Sequence, residues 1–430
     1  MNAPVSALRR RAAEVVALVA HRLADPAIGA AGAASAFRAA GLGDGAPGIA
    51  LLHAELAYAD PAHRSAAHRW LRHGAALVGR ATVPAAQGLY GPVAALSFAL
   101  HRAAEGHAAQ GHLARQVAEL AGLRADREER RLGMRPGERM GCTVLTAYDV
   151  ISGQAGLGAH LLELGGPAPK AAAVRTVRAL TALARPVRAD GLLLPGWWVA
   201  LDADAYRPVP PAQGHANLGT AHGLPGPLAL LALAWRQGLR VPGQRAAITG
   251  FAEWLLAQRR TDAVGPWWPG QVTAGPAPSR PGRPSWCYGT PGIARALQLA
   301  GLALGVSRWQ EAGVDALRAA LARAASGEVE PAAEAGLCHG LAGLLQTTWR
   351  VARDSGDAEL AGHLPWLAAR LLDLVDEDRP YGFAEAPGAR PPEEHPGGFL
   401  TGASGAALAL HTFATDTAPD TRWDRALLLA

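Results

Sequence analysis

The chain has 430 residues, half of them apolar and 18 % charged, with 51 glycines and 32 prolines. Such a composition supplies a sizeable core and excludes a disordered chain. A formal charge of +5 is too small an excess to imply a nucleic-acid partner.

Three cysteines, Cys142, Cys287 and Cys338, exclude a disulfide scaffold. Without a Cys-x-x-Cys pair they read as free thiols or metal ligands in a reducing compartment. No apolar run reaches the ~18 residues of a membrane span. The richest stretch, around Leu224–Trp235, carries Pro225, Gly226 and Pro227. The expected protein is cytoplasmic, with no membrane span and no nucleic-acid partner.

At the N-terminus Arg9, Arg10 and Arg11 precede an apolar stretch, as in a signal peptide. Glu14, His21 and Arg22 interrupt the pattern, so an amphipathic first helix is the better reading. From there a Gly-x-x-Gly element followed by an apolar run recurs seven times. The pairs are Gly45/Gly48, Gly88/Gly91, Gly153/Gly156, Gly223/Gly226, Gly289/Gly292, Gly340/Gly343 and Gly402/Gly405. Glycines at a helix entrance allow close backbone approach. The runs behind them are apolar all round, which predicts buried helices. Polar segments between them, such as Ala171–Ala184 and Val314–Ala325, have the spacing of amphipathic outer helices.

One buried and one amphipathic helix per repeat, seven times, predicts a closed two-layer helical ring. Chance glycine pairs are the competing reading. The charged segment Gly122–Met140 reads as a solvated face or loop. Two long links, Pro186–Leu218 and Thr261–Trp286, hold Trp197, Trp198, Trp267, Trp268 and many prolines. They are too turn-rich for helices, and loops of this length are usually functional. No run of alternating strands is evident, so any β structure is local.

The chemistry-bearing residues lie at the repeat junctions. Ser285-Trp286-Cys287-Tyr288-Gly289 opens the fifth repeat and Leu337-Cys338-His339-Gly340 the sixth. If the junctions converge, two thiolates and one imidazole make a three-ligand zinc set with an open position. Two structural cysteines beside an ordinary histidine are the other possibility. The fourth junction carries His222, able to exchange a proton near neutral pH. The third carries Asp149, able to orient a histidine or act as a base. Each alone could be an ordinary loop residue, as could Arg283 ahead of Cys287.

With the segments YDVISGQAGLG, NLGTAHGLPG, RPSWCYGTPG and LCHGLAGLL, the sequence resembles the LanC-like lanthionine synthetase family over its whole length. The resemblance implies an all-α fold, an α/α toroid of seven repeats, as a single cyclase domain over residues 1–430. No segment stands out as the small β-rich insertion that some bacterial members carry. It also implies one Zn²⁺ held by Cys287, Cys338 and His339, with Asp149, His222, Arg283 and Tyr288 at the other active-site positions.

The implied reaction adds a peptide cysteine thiol to dehydroalanine or dehydrobutyrine, giving lanthionine or methyllanthionine. Two thiolate ligands neutralise Zn²⁺, and a third from the substrate stays nucleophilic. Zinc sites for hydrolysis more often use histidines and a carboxylate. The enolate formed on addition needs a proton at the α-carbon. His222 is expected to supply it, with Asp149 assisting the histidine or helping to remove the thiol proton. Arg283 is expected to stabilise the enolate or position Asp149 and His222. Tyr288 would support its neighbour Cys287.

The implied partners are a dehydrated precursor peptide with its leader, a separate dehydratase and an exporter, in lanthipeptide biosynthesis. The repeats run from Gly45 to Gly405, which leaves no expected room for a fused dehydratase. Other readings are the family's glutathione-binding branch, a helical-toroid glycosidase, a zinc prenyltransferase and a non-catalytic scaffold. A glycosidase would need two paired acids, and only Asp149 stands in a junction motif.

Overall fold

The computed structural model describes residues 5–26, 36–80, 88–103, 108–133, 142–204, 207–275, 280–329, 331, 334–383 and 397–430. Among them the chain forms sixteen α-helices and six short strands. It divides into two compact units. The first comprises Met1–Leu113 and Pro331–Arg425, the second Ala114–Glu330 and Ala426–Ala430.

The first unit begins with α1 (Val5–Arg22), the amphipathic helix that Glu14 and Arg22 predict. Its Ala12, Val15, Val16, Val19 and Ala20 are buried. After the short α2 (Ala36–Ala39) come α3 (Ala46–Leu56), α4 (His63–Val78) and α5 (Pro92–Arg102). All eleven residues of α3 are buried. In α4 only one stripe, Ala66, Ala67, Trp70, Leu71 and Gly74, is buried. An apolar-all-round helix followed by an amphipathic one is the predicted repeat, and the two pack together.

The unit's later part holds α14 (Leu341–Ser355), α15 (Ala358–Leu372) and α16 (Ala403–Thr415). The buried helices adjoin in the order α5, α3, α16, α14, while α4, α15 and α1 cover α3, α14 and α16.

The second unit takes most of α6 (Ala108–Gly133), then α7 (Leu145–Tyr148), α8 (Gln154–Leu161) and α9 (Pro167–Ala182). It continues with α10 (Pro225–Arg236), α11 (Gln244–Ala257), α12 (Thr290–Leu304) and α13 (Ser307–Ser326). Here α8, α10 and α12 are the buried neighbours. Pro225 and Pro227 occupy the first turn of α10, where a missing N–H breaks no intrahelical bond. The charged segment from Gly122 is helical as far as Gly133. So polar a helix shows no broad apolar face, and its sequence fits a solvated loop equally well. Residues 134–141 lie outside the described ones.

The long links hold the β structure. β1 (Val187–Ala189) and β2 (Leu192–Leu194) form an antiparallel hairpin around Asp190 and Gly191, both at positive φ. β3 (His215–Asn217) pairs with β6 (Gln271–Thr273), and β4 (Arg260–Thr261) with β5 (Pro266–Trp267). Trp197, Trp198, Trp267 and Trp268 are buried and pin the links. The Trp268 indole N–H donates to the Leu255 carbonyl at 2.6 Å.

The repeat glycines act through space rather than unusual φ. A Cβ on Gly343 would lie 1.9 Å from the Leu337 carbonyl oxygen, and one on Gly405 1.9 Å from that of Phe399. In each case the carbonyl belongs to the residue six positions earlier. The loop therefore folds back onto the first turn of its own helix, and any side chain would push it off.

That fold-back brings neighbouring loops into hydrogen-bonding range. In the first unit Leu42 N–H donates to Tyr90 O, Leu400 N–H to Gly43 O and Cys338 N–H to Leu400 O. In the second, Val150 N–H donates to Ala221 O and Ala221 N–H to Cys287 O. Each unit thus stitches its own junction loops into a row.

Candidate metal and acid–base site

In the second unit the loops ahead of α8, α10 and α12 bring Asp149, His222, Cys287 and Tyr288 together. Asp149 is 1 % exposed. Its Oδ1 accepts from the Ser152 N–H at 2.6 Å, and its Oδ2 lies 2.6 Å from Nδ1 of His222. A carboxylate can only accept, so Nδ1 carries the proton and the lone pair of a neutral ring sits on Nε2. The His222 side chain is 33 % exposed. That combination makes the ring an oriented proton carrier.

Tyr288 stands beside it, with ring centroids 6.2 Å apart. Its hydroxyl accepts from Asn217 Nδ2 at 3.0 Å. The other end of that buried amide accepts from the Gly219 N–H at 2.8 Å. β3 ends at Asn217, and the Leu218 N–H donates to Gly270 O in the second long link. The two long links therefore fix the loop that carries His222.

Cys287 is buried. Ser285 Oγ lies 3.7 Å from its Sγ and accepts from the Tyr288 N–H. The hydroxyl can therefore turn its own proton toward the sulfur, which suits a thiolate. The Arg283 side chain is exposed, and no hydrogen bond or ion pair joins it to a described residue. A cation that acts on Asp149 is instead Arg124, from α6. Its Nη1 donates to the carbonyls of Thr146 and Ser152. Burial lowers its pKa while Asp149 opposes the shift. The sequence carried no local signal for Arg124, one of many arginines in a charged run.

In the first unit the loop ahead of α14 carries Cys338 and His339, both half-buried. Cys338 N–H is held by Leu400 O at 2.8 Å. Burial, with the Cys338 sulfur nearby, pushes the pKa of the Tyr90 hydroxyl well up. Nε2 of His339 lies 2.6 Å from Oε2 of Glu334. Sequence reasoning gave no role to Ser285 and Asn217, although both stand inside the quoted junction segments, or to Glu334, which stands just ahead of one.

The description "lanthionine synthetase C-like protein" belongs to the family that matches residues 37–428. The chain belongs to this family. Among solved structures it is similar to "Nisin cyclase", with a TM-score of 0.71 and 19 % sequence identity, over 98 % of this chain and 97 % of that one. No curated protein matches. For this LanC-like protein the likeness shows the fold class that the repeats predict, an all-α α/α toroid. Among the described residues no helix is long and apolar enough to cross a membrane.

Proposed function

We propose that this LanC-like protein is a zinc-dependent lanthipeptide cyclase, with residues 1–430 as one cyclase domain. It adds cysteine thiols of a dehydrated precursor peptide to dehydroalanine and dehydrobutyrine, closing lanthionine and methyllanthionine rings. It works in the cytoplasm on a peptide dehydrated by a separate enzyme and handed on to an exporter. The observation that carries this reading is the family match over residues 37–428.

We assign one zinc ion to Cys287, Cys338 and His339. Each of these residues could offer one ligand atom, a sulfur from either cysteine and a ring nitrogen from the histidine. The donor chemistry fits: two thiols and an imidazole suit zinc and leave a fourth tetrahedral position for an incoming sulfur. When bound, zinc would lower the pKa of the substrate thiol and hold it as a nucleophile.

The remaining steps fall to side chains. Ser285 donates toward the sulfur of Cys287 and keeps it anionic. As the substrate sulfur bonds to the β-carbon, the double bond becomes an enolate. His222 takes up the thiol proton on Nε2 and then delivers it from Nε2 to the α-carbon, while Asp149 stabilises the charged ring and fixes its orientation. Tyr288, held by Asn217, lines the same place. Arg283, from its exposed loop, offers a positive charge to the enolate.

The test is to incubate a dehydrated precursor with the protein and then alkylate free thiols. Ring closure leaves mass unchanged and removes alkylatable cysteines. Loss of alkylation with wild type but not with His222→Asn is the expected result. Full alkylation with wild type, or transfer of glutathione alone, would contradict the proposal.

A further inference from the structure

We propose that Glu334 is a positioning residue that sets the tautomer of His339, so that His339 meets the metal through Nδ1. This rests on the metal centre assigned above. Glu334 Oε2 lies 2.6 Å from His339 Nε2. The contact is an ion-pair distance rather than an aligned hydrogen bond, and a carboxylate this close to Nε2 favours the tautomer with the proton there and the lone pair of the neutral ring on Nδ1. A carboxylate on the far nitrogen also makes the ligating nitrogen more basic, which strengthens the bond to a cation.

The fold fixes Glu334 where it can do this. Its carbonyl accepts from the Leu341 N–H at 2.9 Å, and Ala335 and Gly336 accept from Ala342 and Gly343 in the same way. A Cβ on Gly340 would lie 2.3 Å from the Glu334 carbonyl oxygen. The same fold-back that demands glycine at the start of α14 therefore presents the carboxylate to the ring.

Stability is a poor explanation for the pair. The two side chains are 42 % and 32 % exposed, and ion pairs that water reaches contribute little. Replacing Glu334 should leave the fold intact, since its anchoring hydrogen bonds run through the backbone.

The experiment measures zinc affinity of the full chain by competition with a chromophoric chelator, for wild type, Glu334→Gln, Glu334→Leu and Cys338→Ala. Circular dichroism checks each fold, and the absorption of Co²⁺-substituted protein reports the ligand field. Glu334→Leu should bind zinc about 10–100-fold more weakly and shift the Co²⁺ bands. Glu334→Gln, whose amide oxygen can still accept from Nε2–H, should lose less. Wild-type affinity in Glu334→Leu would overturn the role of Glu334 while leaving the metal centre standing, provided that Cys338→Ala loses zinc. A wild-type protein without zinc would overturn both.

Discussion

Two histidine–carboxylate pairs in this protein share a heavy-atom distance of 2.6 Å and differ in the ring nitrogen used. His222 meets Asp149 through Nδ1, and His339 meets Glu334 through Nε2. In the first pair the lone pair falls on Nε2, the outer end of the ring, where it can exchange a proton with a substrate. In the second, an ion pair without an aligned hydrogen bond, the carboxylate favours it on Nδ1, close to the backbone of the loop that also carries Cys338. The carboxylates differ as well. Asp149 is 1 % exposed and fully engaged, whereas the Glu334 side chain is about a third exposed. One pair is built to carry a proton and the other to aim a ligand.

The comparison breaks most severely at the ligands. Cys338→Ala should abolish both zinc binding and ring closure, read by metal analysis and the alkylation assay. A variant that lost zinc yet cyclised at the wild-type rate would detach the first-unit loop from the chemistry. Next comes the proton carrier. His222→Asn should keep its zinc while the cyclisation rate falls by roughly 10²–10⁴, the opposite pattern to Cys338→Ala. If His222→Asn lost zinc instead, the division of labour between the two histidines would be wrong.

A smaller effect is expected at Tyr288. Replacing it with Phe removes one hydrogen bond with Asn217, worth about 1 kcal/mol, so the rate should fall about 5–10-fold with metal content unchanged. A complete loss of activity would promote the phenol to a direct role.

Histidine without a carboxylate supplies the baseline. His53 is buried, with Nε2 on the Leu23 carbonyl and Nδ1 on His63, and burial pushes its pKa down to about 4. The folded state therefore binds fewer protons than the unfolded state between about pH 6.5 and 4. Stability from this group is fully present above the upper end and falls as the pH drops across that window. The loss is at most ~3 kcal/mol. Thermal melts of wild type and His53→Gln should show a shallower decline of Tm with acidification in the variant. Parallel curves would remove His53 as the cause.

Much of the architecture was legible because the repeat has a physical signature. The glycine pairs mark places where a loop must touch its own helix, and the runs behind them lack any polar face. The β1–β2 hairpin was missed although Asp190-Gly191 is a strong turn signal, because the prolines around it masked the short strands. At the site, Asp149, His222, Cys287 and Tyr288 could be read from junction motifs, and their second-unit loops do come together. Glu334 and Arg124 could not, and Asn217, though inside a quoted segment, carried no sign of its role. Their importance lies in which atom each one touches, and hydrogen-bond direction leaves no periodic trace. Arg283 illustrates the reverse, since its motif position is clear while its side chain lies in solvent.

The proposed chemistry stands on one zinc ion held by Cys287, Cys338 and His339. Elemental analysis of the purified full-length protein, beside Cys287→Ala, Cys338→Ala and His339→Ala, decides whether it is there. One zinc per chain in wild type and loss of that zinc in every variant is the expected result. Zinc retained after replacement of Cys287 would contradict it.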